Sequence, residues 1–173
     1  MWTPTGALKI VDRCKNMFKL TQGEYIAAEK VQGIYQCCPL VQNSFLDGDS
    51  SRAFAVVVVH PNFAVLRSEL VKAGGKISLS FPNSKTEVLS SLNEVELCSN
   101  LDVRKYILSR MNALGRQRGL NGFELAKSIF LTPNEFTIEN GLLTPTLKLA
   151  THRAREHFRG AIAELYTEGQ LLD

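Results

Sequence analysis

The feature that most constrains the fold is a run of β-branched residues in the first half of the chain. Residues 53–59 contain four consecutive valines and are followed by His60 and Pro61, which predicts a strand that stops there. A strand with one solvated face alternates apolar and polar residues, whereas an uninterrupted apolar strand is buried on both faces. We therefore predict a central strand in a sheet that is covered by helices.

The remaining pattern predicts an α+β domain, with a small central sheet of about three strands covered by helices and preceded by a β-hairpin. The hairpin is predicted from two short apolar runs that flank a polar stretch, residues 7–11 and 17–20. The next elements are a helix over 29–36, strands over 40–46 and 53–59 with a turn at 47–50, and a helix that Asn62 caps and Gly74–Gly75 ends. Residues 76–98 have no clear pattern.

The second half continues with a long helix that opens at Asn100 or Asp102, and then with a strand over 123–131. A turn is predicted at Asn140–Gly141. The chain closes with a helix that ends before Gly169 and whose inward face consists of Ala154, Phe158, Ile162 and Leu165.

Composition removes several classes of protein. With 45% hydrophobic and 21% charged residues the chain is globular, and a net charge of +3 is too small to predict a polyanionic partner. No segment reaches the ~18 apolar residues of a membrane span, so we predict no membrane anchor within this chain. The beginning of the chain lacks the regions of a signal peptide and suggests a truncated sequence.

The four cysteines do not predict a metal or redox site. They are Cys14, Cys37, Cys38 and Cys98, and none of their spacings is C-x-x-C. We expect free thiols and no metal site on the chain.

The first motif whose residues could bind a ligand or take part in a reaction lies near the start of the chain, in residues 12–25. It contains Arg13, Lys15, Lys19 and Gly23. Arg13 presents a planar fork of donors that suits ribose hydroxyls or a phosphate, and the two lysines are point charges on long stems. The residues alone leave two interpretations open, since the cations can also face solvent on a turn. Gly23 either supplies a positive φ or lets the backbone approach a narrow ligand closely.

The second motif is Thr144–Pro145–Thr146–Leu147–Lys148–Leu149. It places Lys148 on a constrained turn before a helix that is rich in cations, namely His152, Arg153, Arg155, His157 and Arg159. A lysine held rigidly can neutralise negative charge that develops on a carboxylate and a phosphate. The alternative is a solvated surface charge beside a helix face of purely structural cations.

Together, in this order, the two motifs resemble those of the long-chain fatty acyl-CoA synthetases, which are acyl-adenylate-forming enzymes. The stretches that carry the resemblance are residues 8–13, 15–20, 22–26 and 143–149. The resemblance implies the following roles: Lys148 as the catalytic lysine of adenylation, Lys15 as a hinge, Arg13 and Lys19 as nucleotide-binding residues, and Gln22, Gly23 and Glu24 as the lining of the coenzyme A channel.

The family implies a two-step ligase that uses ATP, Mg²⁺ and coenzyme A. A fatty acid attacks the α-phosphate of ATP, and the thiol of coenzyme A then displaces AMP. Residues 1–15 would be the end of a large N-terminal domain and the hinge, and residues 16–173 a mobile C-terminal lid domain whose partner is the N-terminal domain. The resemblance also implies a cytosolic or cytosol-facing, membrane-associated enzyme, and a fragment that is inactive alone.

Three alternatives stay open. The domain could belong to an adenylate-forming ligase of another carboxylic acid, although its Thr-Pro-Thr-Leu-Lys form differs from the Ser-Gly-Lys of most other branches. It could be an interaction domain without chemistry. It could also bind nucleic acid through Arg104, Lys105, Arg110, Arg116 and Arg118, although no aromatic stacking motif or helix-turn-helix spacing supports this.

Overall fold

A computed structural model describes residue 6 and residues 17–72 and 92–172. These residues form an α+β domain with a three-stranded sheet and a separate two-stranded hairpin, as predicted. The strands are β1 (Met17–Lys19), β2 (Tyr25–Ala27), β3 (Val41–Asp47), β4 (Val56–Pro61) and β5 (Ser128–Leu131). The helices are α1 (Ala28–Tyr35), α2 (Phe63–Lys72), α3 (Glu94–Ser99), α4 (Leu101–Gln117), α5 (Thr151–His157) and α6 (Arg159–Glu168), with a 3₁₀ turn at Gly122–Glu124.

The valine run forms the centre of the sheet. Strand β4 pairs antiparallel with β3 and parallel with β5. All four valines are completely buried and alternate between two cores. Val57 and Val59 pack in the larger core with α1 to α4, whereas Val56 and Val58 pack with α5 and α6 on the opposite face. The prediction of a strand buried on both faces is therefore confirmed.

The described hairpin pairs β1 with a strand that the sequence did not predict. Strands β1 and β2 pair antiparallel, with Phe18 opposite Ile26, whereas the predicted partner, residues 7–11, lies outside the described residues. The loop of this hairpin carries Gly23, and the predicted pairing of residues 7–11 with residues 17–20 stays a prediction. The Phe18 ring packs closely over Gly48, where a Cβ atom would clash with it.

Two predicted strands have different bounds. Strand β4 begins at Val56 and includes His60 and Pro61, because Pro61 pairs only with β3, beyond the last pair between β4 and β5. The predicted strand over 123–131 is reduced to β5. Its first part forms the 3₁₀ turn, where the Glu124 carboxylate accepts a hydrogen bond from Asn121 N (2.8 Å) and so favours a helical turn over an extended one.

Side-chain caps begin α2 and α4 at the predicted places. Asn62 Oδ1 accepts a hydrogen bond from Val65 N (3.2 Å) at the start of α2. Asn100 Oδ1 accepts hydrogen bonds from Asp102 N and Val103 N (3.0 and 3.1 Å) at the start of α4. These bonds satisfy backbone donors that have no partner within the helix.

Helix α3 lies in the stretch for which the sequence predicted no structure. Asn93 and Glu96 form a capping box there, in which Glu96 N donates to Asn93 Oδ1 (2.9 Å) and Asn93 N to Glu96 Oε2 (2.8 Å). The helix stop predicted at Gly74–Gly75 lies outside the described residues.

The predicted terminal helix is divided into α5 and α6 at Phe158, whose φ of −97° and ψ of 13° depart from helical values. Its predicted inward face is nevertheless buried, and consists of Ala154, Phe158, Ile162 and Leu165. Gly169, with φ of +84°, follows α6 directly as predicted.

A buried polar network joins α1, α4 and the segment before β5. Tyr35 Oη donates to Asn112 Oδ1 (2.7 Å) and accepts from Ala126 N (2.9 Å), and Asn112 Nδ2 donates to Ala126 O (2.8 Å). Burial raises the pKa of the Tyr35 hydroxyl well above its usual range, so the hydroxyl is protonated at neutral pH and can donate a hydrogen bond. The network fixes α1 against α4 with every member hydrogen-bonded.

Cys37, Cys38 and Cys98 are unpaired thiols, as expected, and Cys14 lies outside the described residues. Within the described ranges no helix has the length and apolar character needed to span a bilayer.

Candidate active-site surface

Lys148 lies on a tight turn between an extended segment and α5, as the sequence predicted. Leu143 and Leu149 form an antiparallel bridge at the base of the turn. Thr144 N donates to Lys148 O (2.8 Å), and Ala150 N donates to Leu142 O (2.8 Å). The turn thus fixes the Lys148 backbone, while its side chain is exposed.

Hydrogen bonds inside the turn centre on Thr144. Its Oγ1 accepts from Lys148 N (3.2 Å) and lies 3.0 Å from Thr146 Oγ1. Its carbonyl oxygen accepts from Leu147 N (2.8 Å). Leu147 has φ of +57° and is 71% exposed. The sequence predicted the turn but not the left-handed leucine, for which the only signal was the tight spacing between Pro145 and Lys148.

The Lys148 turn faces α1 across a cleft of about 300 Å³. The lining residues on α1 are Glu29, Gln32, Gly33 and Gln36, and those near the turn are Leu147, Lys148, Leu149 and Thr151. Gln32 is largely buried, and its Oε1 accepts a hydrogen bond from Leu46 N (2.8 Å). This bond holds α1 against the end of β3 and sets one wall of the cleft.

The hairpin loop carries Gln22, Gly23 and Glu24, all exposed. Gly23 has φ of +92°, so it does supply a left-handed turn. Gln22 Nε2 donates to Ala53 O (2.6 Å), which anchors the loop to the segment between β3 and β4. The Gln22 side chain therefore holds the loop in place. Gly23 has no side chain, so its backbone is exposed to solvent.

Lys19 lies near the end of β1, with Nζ 5.5 Å from the centre of the Tyr25 ring. It borders a second cleft, of about 350 Å³, whose far side includes Thr151 and Arg155. Thr151 also borders the Lys148 cleft. The fold therefore brings Lys19 and Lys148, which are distant in sequence, to neighbouring clefts that meet at the start of α5.

An ion pair that sequence analysis did not predict joins the end of β3 to α5. Arg155 Nε lies 2.7 Å and a terminal guanidinium nitrogen 2.6 Å from Asp47 Oδ1. Burial raises the pKa of Asp47, and the Arg155 guanidinium only partly offsets this effect. No local pattern distinguishes Arg155 from its neighbours as the partner of Asp47.

Arg104 and Arg110, two of the five basic residues named for the nucleic-acid alternative, have partners within the fold. Arg104 donates to Ile129 O (2.8 Å) and pairs with Glu168 (2.7 Å). Arg110 lies 3.7 Å from Glu69. These partners reduce the charge available for phosphate groups, so the structure does not favour a basic nucleic-acid surface on α4.

Arg13 and Lys15 lie outside the described residues, so their predicted roles stay predictions. In the part of the chain that the structure describes, no group of three or more His, Cys, Asp or Glu side chains could hold a metal ion.

Comparison with known proteins extends the resemblance to nearly the whole chain, although no protein-family model matches it. The peroxisomal long chain acyl-CoA synthetase 7 of Arabidopsis thaliana is 42% identical over 168 residues, which cover 97% of this chain. Long-chain-fatty-acid–CoA ligase 1 of Homo sapiens is 43% identical over 96% of the chain, and ligase 5 of Mus musculus is 44% identical over 95%. The chain spans only 22% of the length of each of these relatives.

Solved structures of adenylation domains share the fold. The adenylation domain of a carboxylate reductase from Mycobacterium chelonae superposes with a TM-score of 0.70 and 25% identity, over 94% of this chain and 21% of that one. A two-domain fragment of a carboxylic acid reductase from Segniliparus rugosus, in complex with AMP, gives a TM-score of 0.68 and 25% identity, over 91% of this chain and 18% of that one. Its fold is that of the adenylation domains of the adenylate-forming superfamily. By sequence, this chain belongs to the long-chain acyl-CoA synthetases and corresponds to 22% of the length of those relatives.

Proposed function

We propose that this chain is the mobile C-terminal lid domain of a long-chain fatty acid–CoA ligase, and that residues 1–15 contain the hinge to a large N-terminal domain. The full polypeptide would activate a fatty acid with ATP to an acyl adenylate and then transfer the acyl group to coenzyme A. The observation that carries this proposal is the exposed Lys148 on its hydrogen-bonded turn, in a chain more than 40% identical to long-chain ligases.

In the first half-reaction, Lys148 would neutralise the negative charge that develops as the carboxylate attacks the α-phosphate. The turn leaves the ammonium group in solvent, where it can enter a site on a second domain. Because the Lys148 backbone is already fixed, little ordering of the turn is needed when the lid closes. We assign Arg13 and Lys19 to the nucleotide.

In the second half-reaction, the lid would rotate about Lys15 and present the hairpin loop. Gly23 would then border the path of the pantetheine chain, with Gln22 and Glu24 beside it. The loop suits this role because it is anchored to the β3–β4 segment, so its exposed backbone is held firmly. One small domain can serve two transition states in turn only if it moves between them.

ATP, Mg²⁺ and coenzyme A would bind mainly outside this chain. The exposed cations Lys19 and Lys148 fit phosphate groups, whereas the described residues offer no acidic cluster for Mg²⁺. We therefore give none of the described residues a role in metal binding. A cytosolic or cytosol-facing location is a further proposal from the family.

The runner-up is an adenylate-forming enzyme for another carboxylic acid, since the structural neighbours are adenylation domains of carboxylic acid reductases. Identities above 40% with long-chain ligases, against 25% with those neighbours, favour the long-chain substrate.

The test is fatty acid-dependent exchange between ATP and pyrophosphate by the full-length polypeptide, with Lys148→Ala beside the wild type. We expect exchange to fall about 100- to 1,000-fold, because the transition state loses the positively charged Lys148 ammonium group that stabilises its negative charge. Thioester formation from supplied acyl adenylate and coenzyme A should be retained.

The matched control is Lys72→Ala, the same substitution at an exposed lysine in the last turn of α2. It should leave both half-reactions unchanged. Undiminished exchange in Lys148→Ala would refute the assignment of Lys148, and the absence of exchange in the wild type would refute the ligase.

A further inference from the structure

The turn before Lys148 contains a backbone conformation that leucine normally avoids. Among the described residues, Leu147 is the only non-glycine residue with a positive φ, +57°. In this region the Cβ atom of an L-residue is crowded by its own backbone, so glycine is the usual occupant. Leu147 is 71% exposed, so burial of its side chain does not compensate for the strain. Such an outlier is evidence for a functional constraint.

The left-handed residue determines where Lys148 lies. It reverses the chain between Thr146 and Lys148, so that Lys148 O accepts from Thr144 N (2.8 Å). The same reversal brings Lys148 N to the Thr144 hydroxyl at 3.2 Å. Both polar groups of the Lys148 backbone are thus held by Thr144, and the direction of the Lys148 Cα–Cβ bond follows from the φ of Leu147.

We propose that Leu147 and Thr144 are positioning residues for adenylation, with the left-handed backbone of Leu147 and the Thr144 hydroxyl together aiming Lys148 at the reacting phosphate. This inference rests on the proposed role of Lys148. It assigns the function of Leu147 to its backbone and not to its side chain.

The physical reason is the length of the lysine side chain. A lysine has four rotatable side-chain bonds, and the position of its ammonium group is only as well defined as the backbone that carries it. A turn that pointed Lys148 elsewhere would leave substrate binding intact but would lower the population of complexes in which the ammonium reaches the phosphate.

The experiment compares Leu147→Ile with Leu147→Gly in the full-length polypeptide. Isoleucine keeps the volume and apolarity of leucine but is β-branched and disfavours positive φ, whereas glycine loses the side chain and accepts positive φ readily. We expect Leu147→Ile to lower kcat for pyrophosphate exchange about 10-fold, with KM for fatty acid and ATP nearly unchanged. Leu147→Gly should stay within about threefold of the wild type.

Two readouts separate positioning from damage to the fold. Thioester formation from supplied acyl adenylate should be normal in both variants, since that step does not use Lys148. Leu101→Ile, at a half-exposed leucine in the first turn of α4, is the matched control and should leave both half-reactions unchanged.

The Thr144 hydroxyl provides an independent test, which also decides the matter if Leu147→Ile does not fold. Thr144→Val keeps the shape of the side chain but removes the acceptor for Lys148 N, and it should lower exchange about 10-fold. Thr144→Ser keeps the hydroxyl and should therefore exchange pyrophosphate at nearly the wild-type rate.

The proposal is overturned if Leu147→Ile behaves as the wild type, if Leu147→Gly loses as much exchange as Leu147→Ile, or if Thr144→Val matches Thr144→Ser. Lys148→Ala in the same assay separates the two levels of inference. If Lys148→Ala loses pyrophosphate exchange while the Leu147 and Thr144 variants exchange normally, only the positioning role is refuted. If Lys148→Ala retains exchange, the proposed function of Lys148 is refuted.

Discussion

At the scale of single residues, the candidate site depends on two positions with positive φ that packing within the domain does not explain. Leu147 is strained and exposed, and Gly23 lies in an exposed loop where an added Cβ would meet only the Lys19 side chain, at 3.8 Å from Cε. The positive φ of the hairpin loop accounts for glycine at position 23, whereas nothing in the described fold accounts for leucine at position 147. A substitution of Gly23 tests whether this residue also borders a ligand.

Gly23→Ala in the full-length polypeptide separates a turn glycine from one that borders a ligand. The methyl group fits the fold, so we expect a loss of stability of about 1 kcal/mol from the positive φ alone. If Gly23 borders the path of coenzyme A, thioester formation from supplied acyl adenylate should fall about 10-fold while pyrophosphate exchange is retained.

Gly119→Ala is the matched control for this variant. Gly119 has φ of +81° and no heavy atom within 4 Å of an added Cβ, so the same strain arises away from the hairpin loop. Equal rates of thioester formation in both alanine variants and the wild type would show that Gly23 serves only the turn.

At the scale of secondary-structure elements, the Asp47–Arg155 pair joins the end of β3 to the helix that follows the Lys148 turn. Asp47 is 7% exposed, whereas the Arg155 side chain remains half exposed. Burial raises the pKa of Asp47, so the neutral carboxyl is favoured in the folded state relative to the unfolded chain. The link between β3 and α5 therefore has a pH-dependent stability.

The sign of this dependence follows from linkage. Because the folded-state pKa is raised, the folded chain binds more protons than the unfolded chain above the ordinary carboxyl value of about 4. The contribution of Asp47 to stability is therefore full below that pH and is lost as pH rises through the raised pKa. Compared with Asp47→Asn, which does not titrate, the wild-type free energy of unfolding should decline over this window. Urea unfolding of both proteins across a pH series measures the difference.

Asp49→Asn provides the opposite case. The Ser51 hydroxyl and backbone N–H lower the pKa of Asp49, so its contribution is present above the ordinary carboxyl value and is lost as pH falls. The prediction for Asp47 concerns the free energy of unfolding of the wild type minus that of Asp47→Asn. If this quantity were constant with pH, or increased as pH rises, the prediction would be wrong.

At the scale of the whole molecule, the described surface presents catalytic candidates without enclosing a substrate. The clefts beside Lys148 and Lys19, of about 300 and 350 Å³, lie at the small end of ligand pockets, and Lys148 itself is exposed. The chain has its own two-sided core around β4. The two-sided core supports a domain that folds alone, and the exposed lysines support our proposal that it acts against a second domain.

We predict that the isolated 173-residue chain folds cooperatively and catalyses neither half-reaction. A single transition in urea, followed by circular dichroism, would establish folding, and fatty acid-dependent pyrophosphate exchange would test activity. The full-length polypeptide under the same conditions is the positive control. Formation of acyl adenylate by the isolated chain would contradict the lid-domain proposal.

The central strand, two helix starts and the lysine turn could be predicted because each depends on residues that are close in sequence. The valine run indicates a strand buried on both faces wherever the chain places it, and Asn62 and Asn100 cap the helices that directly follow them. The Lys148 turn was predictable for the same reason, since Pro145 and the following helix restrict the same few residues.

Tertiary structure decided which distant residues meet. The Asp47–Arg155 pair spans 108 positions and the Tyr35–Asn112 bond 77, and neither partner choice leaves a periodic trace in the chain. The sequence by itself thus determined the presence of the three central strands, the starts of α2 and α4 and the lysine turn, because short-range sterics and hydrogen bonds act within a few residues. The pairing of β1 with β2, the half-buried ion pair and the approach of the Lys19 and Lys148 clefts at Thr151 depended on tertiary packing, which only the folded chain defines.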